Sequence, residues 1–286
     1  MKNIKIALCQ MNVIDNKKAN IEKAIQMIKD AKKQNADLAI LPEMFNCPYE
    51  NEKFIEYSEE LNNSITLKTI SKVAKEENIY VLAGSIPEKV LNKNDNGKLI
   101  ERIYNTSCLF NDKGELIGKH RKVHLFDIDV KGKISFKESD TLSSGKNITV
   151  IDTTIKFGKI GIGICYDIRF IEQSRIMALE GANILIFPGA FNLTTGPAHW
   201  ELLFRSRALD NQVFTIGVAP ALNKNSNYNS YGHSIIVNPW GEVISQADYD
   251  ECLIIQDINL DEINKIRDEI PILKNRRTDL YEIKRL

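Results

Sequence analysis

A chain of 286 residues, 43% of them hydrophobic, can bury one large core or two small ones. Lys plus Arg and Asp plus Glu each number 38, so no net field draws the chain to nucleic acid or to an acidic membrane surface. No apolar run approaches the roughly 18 residues of a spanning helix, and the first twenty residues lack a charged-apolar-small leader, so a soluble, cytoplasmic protein is expected.

The segment from Ile4 to Gln10 reads as a strand. Asn16 or Asn20 stands where a cap is needed for a helix through Ile21, Ala24, Ile25 and Ile28. Asp37 to Glu43 is a nearly continuous apolar strand ended by Pro42, so strand, helix and buried strand give a βαβ unit. A helix over about Leu67 to Asn78 leads to a strand from Tyr80 to Ser85. Tyr104 to Phe110, the turn Asn111-Asp112-Lys113-Gly114 and Glu115 to His120 form a hairpin. Arg121 to Gly145 shows no clear periodicity and is dense in charge; inside a domain, so long a loop is usually functional or disordered.

Strands resume at Ile148 to Phe157 and at Ile160 to Cys165, followed by a helix from Asp167 to Glu180. Asn183 to Ala190, broken by Pro188, repeats the pattern of Leu38 to Glu43. A helix over Trp200 to Asn211, a strand from Val213 to Val218 and a hairpin around Asn238-Pro239-Trp240-Gly241 replay the first half. Two such halves predict two sheets face to face with helices outside, an α/β fold of the four-layer α-β-β-α sandwich type. No linker divides them, so residues 1–286 are expected to form a single domain. The charged tail from about 261 to 286, interrupted by Pro271, is expected to pack on a surface or a partner.

Five cysteines (Cys9, Cys47, Cys108, Cys165, Cys252) are odd in number and scattered, with no CxxC and no Cys/His cluster. That argues against disulfides and structural zinc and suits a reducing cytosol. Cys165 is singled out by Gly161-Ile162-Gly163-Ile164 before it and a helical pattern after it. Glycines in a buried strand mark close approach of another backbone. A thiol on a strand-to-helix turn has the logic of a nucleophile elbow, although a buried Cys is more often a packing residue.

Glu43 at one strand end and Lys122 in a basic run are, singly, as readily a solvated cap and a solvated face. Together with the thiol they make a workable acyl-transfer site: Glu takes the thiol proton and Lys holds the oxyanion. The four histidines favour no Cys-His pairing, and no GxGxxG or GxxxxGK[ST] follows a strand.

Leu41-Pro42-Glu43, His120 to Asp127 and Gly163 to Phe170 resemble, in order, the three signature segments of the nitrilase superfamily of carbon–nitrogen hydrolases. The resemblance spans essentially the whole chain. It implies the α-β-β-α sandwich, a Glu43-Lys122-Cys165 triad, cofactor-free and metal-free hydrolysis through a thioester, and a homodimer. It also gives Glu138, in Ile134 to Ser139, the role of holding the Lys and the substrate. Pro42 to Tyr49, His124 to Val130, Pro188 to Trp200 and Lys274 to Tyr281 are most similar to the omega-amidase branch, which hydrolyses 2-oxoglutaramate and 2-oxosuccinamate. Lys131 departs from that pattern, where proline is usual, and loosens the loop.

On this reading Lys122 and the N–H of Tyr166 hold the oxyanion. Arg169 grips a substrate carboxylate, unless it pairs instead with Asp167 or lies at the dimer contact. Similarity to the branch adds Phe191, Thr195 and Tyr49 as substrate neighbours. Small-molecule amides are the expected partners. An N-carbamoyl amine or deaminated glutathione amidase with the same triad, and a catalytically silent interaction protein, are the competing readings.

Overall fold

Alternation of apolar side chains sorts the strands into two sheets whose inner faces meet. A computed structural model of the protein describes residues 3–93, 97–153 and 156–286. In chain order the elements are β1 (Asn3–Gln10), α1 (Lys17–Lys33), β2 (Leu38–Ile40), α2 (Asn51–Glu56), α3 (Ile65–Glu77), β3 (Tyr80–Leu82) and β4 (Ile86–Lys93). Next come β5 (Leu99–Phe110), β6 (Leu116–Arg121), β7 (Asp127–Val130), β8 (Ile134–Lys137), β9 (Thr149–Asp152) and β10 (Lys159–Ile162). The chain continues through α4 (Ile171–Leu179), β11 (Ala182–Pro188), α5 (Gly196–Asn211) and β12 (Phe214–Val218). It closes with β13 (Ile235–Val237), β14 (Val243–Gln246), β15 (Cys252–Asn259) and α6 (Asp261–Glu269).

The first sheet has seven strands in the order β15-β1-β2-β3-β5-β4, with β6 on β5; the second has six, β14-β13-β12-β11-β10-β9. Ile6 and Leu8 of β1 and Leu38 and Ile40 of β2 face Ile160, Ile162, Ile184, Ile186, Phe214 and Ile216 across the sandwich. The alternate residues, Ala7, Cys9, Ala39 and Leu41, face α1 and α3. On the other side Leu185 and Phe187 face Met177, Phe204 and Ala208 of α4 and α5. Each fully buried Ile or Phe here contributes about 1.5–3 kcal/mol. The predicted α-β-β-α sandwich is therefore the observed fold.

The halves match in detail at their hairpin turns. The Asn111 side chain accepts from the N–H groups of Lys113 and Glu115, and that of Asn238 accepts from those of Trp240 and Glu242. Asn16 is the cap of α1, accepting from Ala19 N; Asn20 is buried and ties to both backbone groups of Ile14.

Several expectations change. The helix after Cys165 begins only at Ile171, because Cys165–Arg169 forms a 3-10 turn. Gly161 and Gly163 make room for side chains rather than backbone. A Cβ on Gly161 would meet Leu185 and Met177, and one on Gly163 would lie 2.4 Å from a ring carbon of Phe187. The strand predicted from Ile148 to Phe157 is the shorter β9, and positions 154 and 155 lie outside the described residues. The aperiodic Arg121–Gly145 stretch holds the β7–β8 hairpin, with Ile128 opposite Phe136 and Val130 opposite Ile134. Four-residue strands are too short to stand out in a charged run. Its turn at Lys131 is closed by Lys133 N–H to the Val130 carbonyl, with Gly132 at a φ of 72°. Helix α2 and strands β4 and β15 had no sequence expectation.

After α6 the tail returns over its own chain: Arg285 donates to the Ile148 carbonyl and pairs with Glu180. Residues from Ile270 to Ile283 roof a cavity of about 580 Å³ against α4 and α5. Among the described residues no helix is long and apolar enough to cross a membrane.

Candidate active site

Four segments meet at one end of the sandwich. Glu43 follows β2 on a tight bend: Gly84 passes so close that a Cβ there would lie 1.9 Å from the Pro42 carbonyl oxygen. Met44, at a φ of 49°, donates its N–H to the Ser85 hydroxyl and fixes the bend. Lys122 follows β6, its N–H on the Asn105 carbonyl of β5. Glu138 opens the 3-10 turn after β8. Cys165 follows β10 at a φ of 47°, a left-handed conformation rare for any residue but Gly. Gly189, the residue after β11, passes beside it, where a Cβ would come within 3.2 Å of Cys165 Cα.

The polar atoms form one buried network. Lys122 Nζ, with no exposed side-chain surface, donates to Glu43 Oε1 at 2.9 Å and to Glu138 Oε1 at 2.8 Å, and lies 3.3 Å from the Tyr49 hydroxyl. Tyr49 in turn donates to Glu138 Oε1. Glu43 also accepts from Asn105 Nδ2 at 2.8 Å and from the Ala190 N–H at 2.7 Å. Glu138 Oε2 accepts from the Phe126 N–H at 2.6 Å. Every carboxylate oxygen thus has at least one fixed donor.

Burial and charge set the protonation states. Burial raises the Glu43 pKa; Lys122 opposes the shift and Glu138 adds to it, leaving the carboxyl above the ordinary range. For Lys122, burial favours the neutral amine, but Glu138 and Glu43 outweigh it and hold the ammonium charged. Burial pushes the Cys165 thiol well up, and the Glu43 charge adds to that. At neutral pH the thiol is therefore protonated at rest and must lose its proton as it attacks. Burial alone does not single out Cys165, since the buried thiols of Cys9 and Cys108 are pushed up to about 12. What distinguishes Cys165 from the buried Cys9, Cys47 and Cys108 is its hydrogen bond with the Glu43 side chain, with the Lys122 ammonium also acting on the thiol.

The predicted substrate neighbours divide. The Arg169 guanidinium sits 4.8 Å above the Phe191 ring and 5.6 Å from the Tyr166 ring. Among the described residues its one side-chain hydrogen bond, at 3.2 Å, is to His199 Nδ1, and its buried Nε has no partner. It does not pair with Asp167, whose carboxylate is taken by His120 and His124. Tyr49 touches the Tyr228 and Phe136 rings, so the β7–β8 hairpin covers this end of the site. The Tyr166 N–H is the second of the Cys165–Arg169 3-10 turn, where no intrahelical carbonyl reaches it. Thr195 is occupied otherwise: its N–H and hydroxyl donate to the Asn192 side chain at the start of α5.

Sequence reasoning missed Asn105, Tyr228, Asp167 and the Ala190 N–H. Asn105-Thr106-Ser107, three buried polar residues in mid-strand, was an available signal; nothing local marks Tyr228, whose hydroxyl donates to the Ala190 carbonyl. Among the described residues no group of His, Cys, Asp and Glu is arranged to hold a metal ion.

The sequence profile described as carbon-nitrogen hydrolase matches residues 5–268. The chain belongs to the carbon–nitrogen hydrolase family. Among relatives in this family, omega-amidase NIT2 of Bos taurus is 48% identical over 283 residues, covering 99% of this chain and 98% of the relative. Omega-amidase NIT2 of Homo sapiens is 46% identical over the same coverage. The crystal structure of Saccharomyces cerevisiae Nit3, a member of branch 10 of the nitrilase superfamily, superposes with a TM-score of 0.85 at 41% identity. That match covers 96% of this carbon–nitrogen hydrolase and 97% of Nit3.

Proposed function

We propose that the protein is an amidase of omega-amidase type, hydrolysing the terminal amide of short dicarboxylic acid monoamides such as 2-oxoglutaramate and 2-oxosuccinamate to the acid and ammonia. The observation that carries this reading is near-half identity, over nearly the full length, to relatives named omega-amidases. The buried Glu43-Lys122-Glu138 network beside Cys165 supports the reaction class.

In the mechanism the Cys165 sulfur attacks the amide carbon while its proton passes to Glu43, whose raised pKa suits a base working near neutrality. The carbonyl electrons move onto oxygen, held by Lys122 Nζ and the Tyr166 N–H. Such a donor typically contributes about 10²–10³ in rate. Glu43 returns the proton to the nitrogen, the C–N bond breaks, and ammonia leaves a thioester on Cys165. Water, deprotonated by Glu43, then attacks the thioester, and the acid departs as the thiol is re-formed. Glu138 and Tyr49 keep Lys122 aimed throughout. Arg169, half-buried and without a carboxylate partner among the described residues, receives the distal carboxylate over Tyr166 and Phe191.

We also read residues 1–286 as one catalytic domain that works as a homodimer. Exposed Ile171 of α4 and Leu202 and Leu209 of α5 favour pairing of chains. Five free cysteines suit a reducing, cytoplasmic setting.

The test is ammonia release from 2-oxoglutaramate, 2-oxosuccinamate, N-carbamoyl-β-alanine, N-carbamoylputrescine and deaminated glutathione, with Cys165→Ala and Cys165→Ser as controls. The reading requires fastest turnover on the first two, none in either variant, and an acyl mass on the Cys165 peptide. Faster release of ammonia with carbon dioxide from a carbamoyl amine refutes the substrate class. No turnover of any amide refutes the enzyme.

A further inference from the structure

One buried charged cluster takes no part in the chemistry above. Asp167, two residues after Cys165, has no exposed side-chain surface, yet its carboxylate accepts four hydrogen bonds. Oδ2 receives the Ile164 N–H and His120 Nε2, each at 3.0 Å. Oδ1 receives the His124 N–H at 2.9 Å and His124 Nδ1 at 2.7 Å. The two histidines stand two positions before and two positions after Lys122.

We propose that Asp167 is a positioning residue that locks Lys122 to Cys165 through His120 and His124, an inference that rests on reading Cys165 as nucleophile and Lys122 as oxyanion donor. The nucleophile's turn and the lysine's segment lie 43 residues apart in sequence at the His124–Asp167 bond and belong to different sheets. Hydrophobic packing alone holds such segments only to the tolerance of the cavity between them. Four directional bonds on two oxygens set both distance and angle. The rings are themselves immobilised: His120 Nδ1 meets the Thr149 hydroxyl at 2.9 Å, and His124 stacks on Phe170 at 3.5 Å and 9°. Because a carboxylate only accepts, the N–H must sit on His120 Nε2 and His124 Nδ1.

The clamp also answers the strain at Cys165. A non-glycine residue at positive φ persists only where its surroundings over-determine it. Asp167 holds the Ile164 N–H before Cys165, while Arg207 donates to the Ile168 and Arg169 carbonyls after it. Burial works against an ionised Asp167, and the histidine hydrogen bonds outweigh it, holding the carboxyl far below its usual range. A buried charge held at that cost of desolvation ties two catalytic segments where an apolar residue would serve packing alone.

The donor positions dictate the test. Gln at 120 and Asn at 124 each place an amide N–H where the ring N–H stood, whereas Leu fills the space and donates nothing. Acyl-enzyme formation from butyramide is followed by rapid-quench mass spectrometry, normalised to the folded fraction from circular dichroism. Asp167→Asn, His120→Leu and His124→Leu are expected to slow acylation about ten- to a hundredfold, the scale of an ångström misplacement. KM should change less than about threefold, because ground-state binding is untouched. His120→Gln and His124→Asn should stay within about fivefold of wild type. The clamp is overturned if Leu and amide variants lose the same rate per folded molecule, or if none loses any. Should a Leu variant fail to fold, the amide variants decide: retention supports the clamp, and a loss matching Asp167→Asn overturns it. An acyl mass found away from Cys165 in the wild type instead refutes the reading of the nucleophile.

Discussion

Replacing Arg169 by Met separates recognition of a substrate carboxylate from upkeep of the nucleophile's turn. Met keeps the length and the contact with Phe191 while removing the charge. In the protein the guanidinium is desolvated enough to lower its pKa, and among the described residues His199 Nδ1 is its one side-chain hydrogen-bond partner. A carboxylate arriving there gains charge-assisted hydrogen bonds of about 1.5–3 kcal/mol, and no competing ion pair has to be broken first. That corresponds to a loss of roughly one to two powers of ten in kcat/KM on 2-oxoglutaramate. Butyramide, which carries no carboxylate, should change little. The assay is coupled ammonia release on both substrates, with melting curves to show that the variant is folded. If both rates fall together, Arg169 is holding the Cys165 turn and the carboxylate reading is wrong. If neither falls, the carboxylate is bound elsewhere.

Three further outcomes follow from the same geometry. Glu43→Gln should abolish both acylation and deacylation, whereas Glu138→Gln, which only aims Lys122, should retain measurable single-turnover acylation; equal and total loss would contradict the division of roles. Asp167 has a depressed pKa, so its contribution to stability is present above the unfolded value of about 3.9 and is lost as pH falls below it. The melting-temperature gap between wild type and Asp167→Asn should therefore be widest near neutral pH and shrink towards pH 3; a gap independent of pH would refute that ionised Asp167 is the stabilising species. Gly163→Ala places a methyl 2.4 Å from a Phe187 ring carbon and should destabilise by roughly 1–3 kcal/mol in urea unfolding, against no change if the strand simply shifts.

The sandwich was legible because burial on both faces of a sheet writes itself into a strand. Leu38 to Leu41 and Ile184 to Phe187 read as unbroken apolar runs because alternate side chains face the opposite sheet and the covering helices. Repetition of that run, its terminal proline and its following helix made the two halves visible. Strands β4, β7 and β8 were not legible, since β4 becomes exposed along its length and β7 and β8 are four residues each, too short for an alternation to show in charged sequence. The start of the helix after Cys165 was placed early because apolar spacing continues through a 3-10 turn as it does through an α-helix.

The sequence by itself singled out Glu43, Lys122 and Cys165 as candidates, because each stands at a strand end that local pattern can place, whereas Glu138, in a stretch without periodicity, came only from the family resemblance. Tertiary structure alone decided which charges pair. Arg169, two residues from Asp167 in sequence, turns to His199, while Asp167 binds His120 and His124 from the other sheet's segment. Thr195 goes to Asn192 rather than to the site, and Asn105 reaches Glu43 across 62 residues. Local periodicity records which face of an element is buried. It carries no record of which distant donor meets a buried acceptor, because that choice is made only when two segments are brought to within 3 Å of each other.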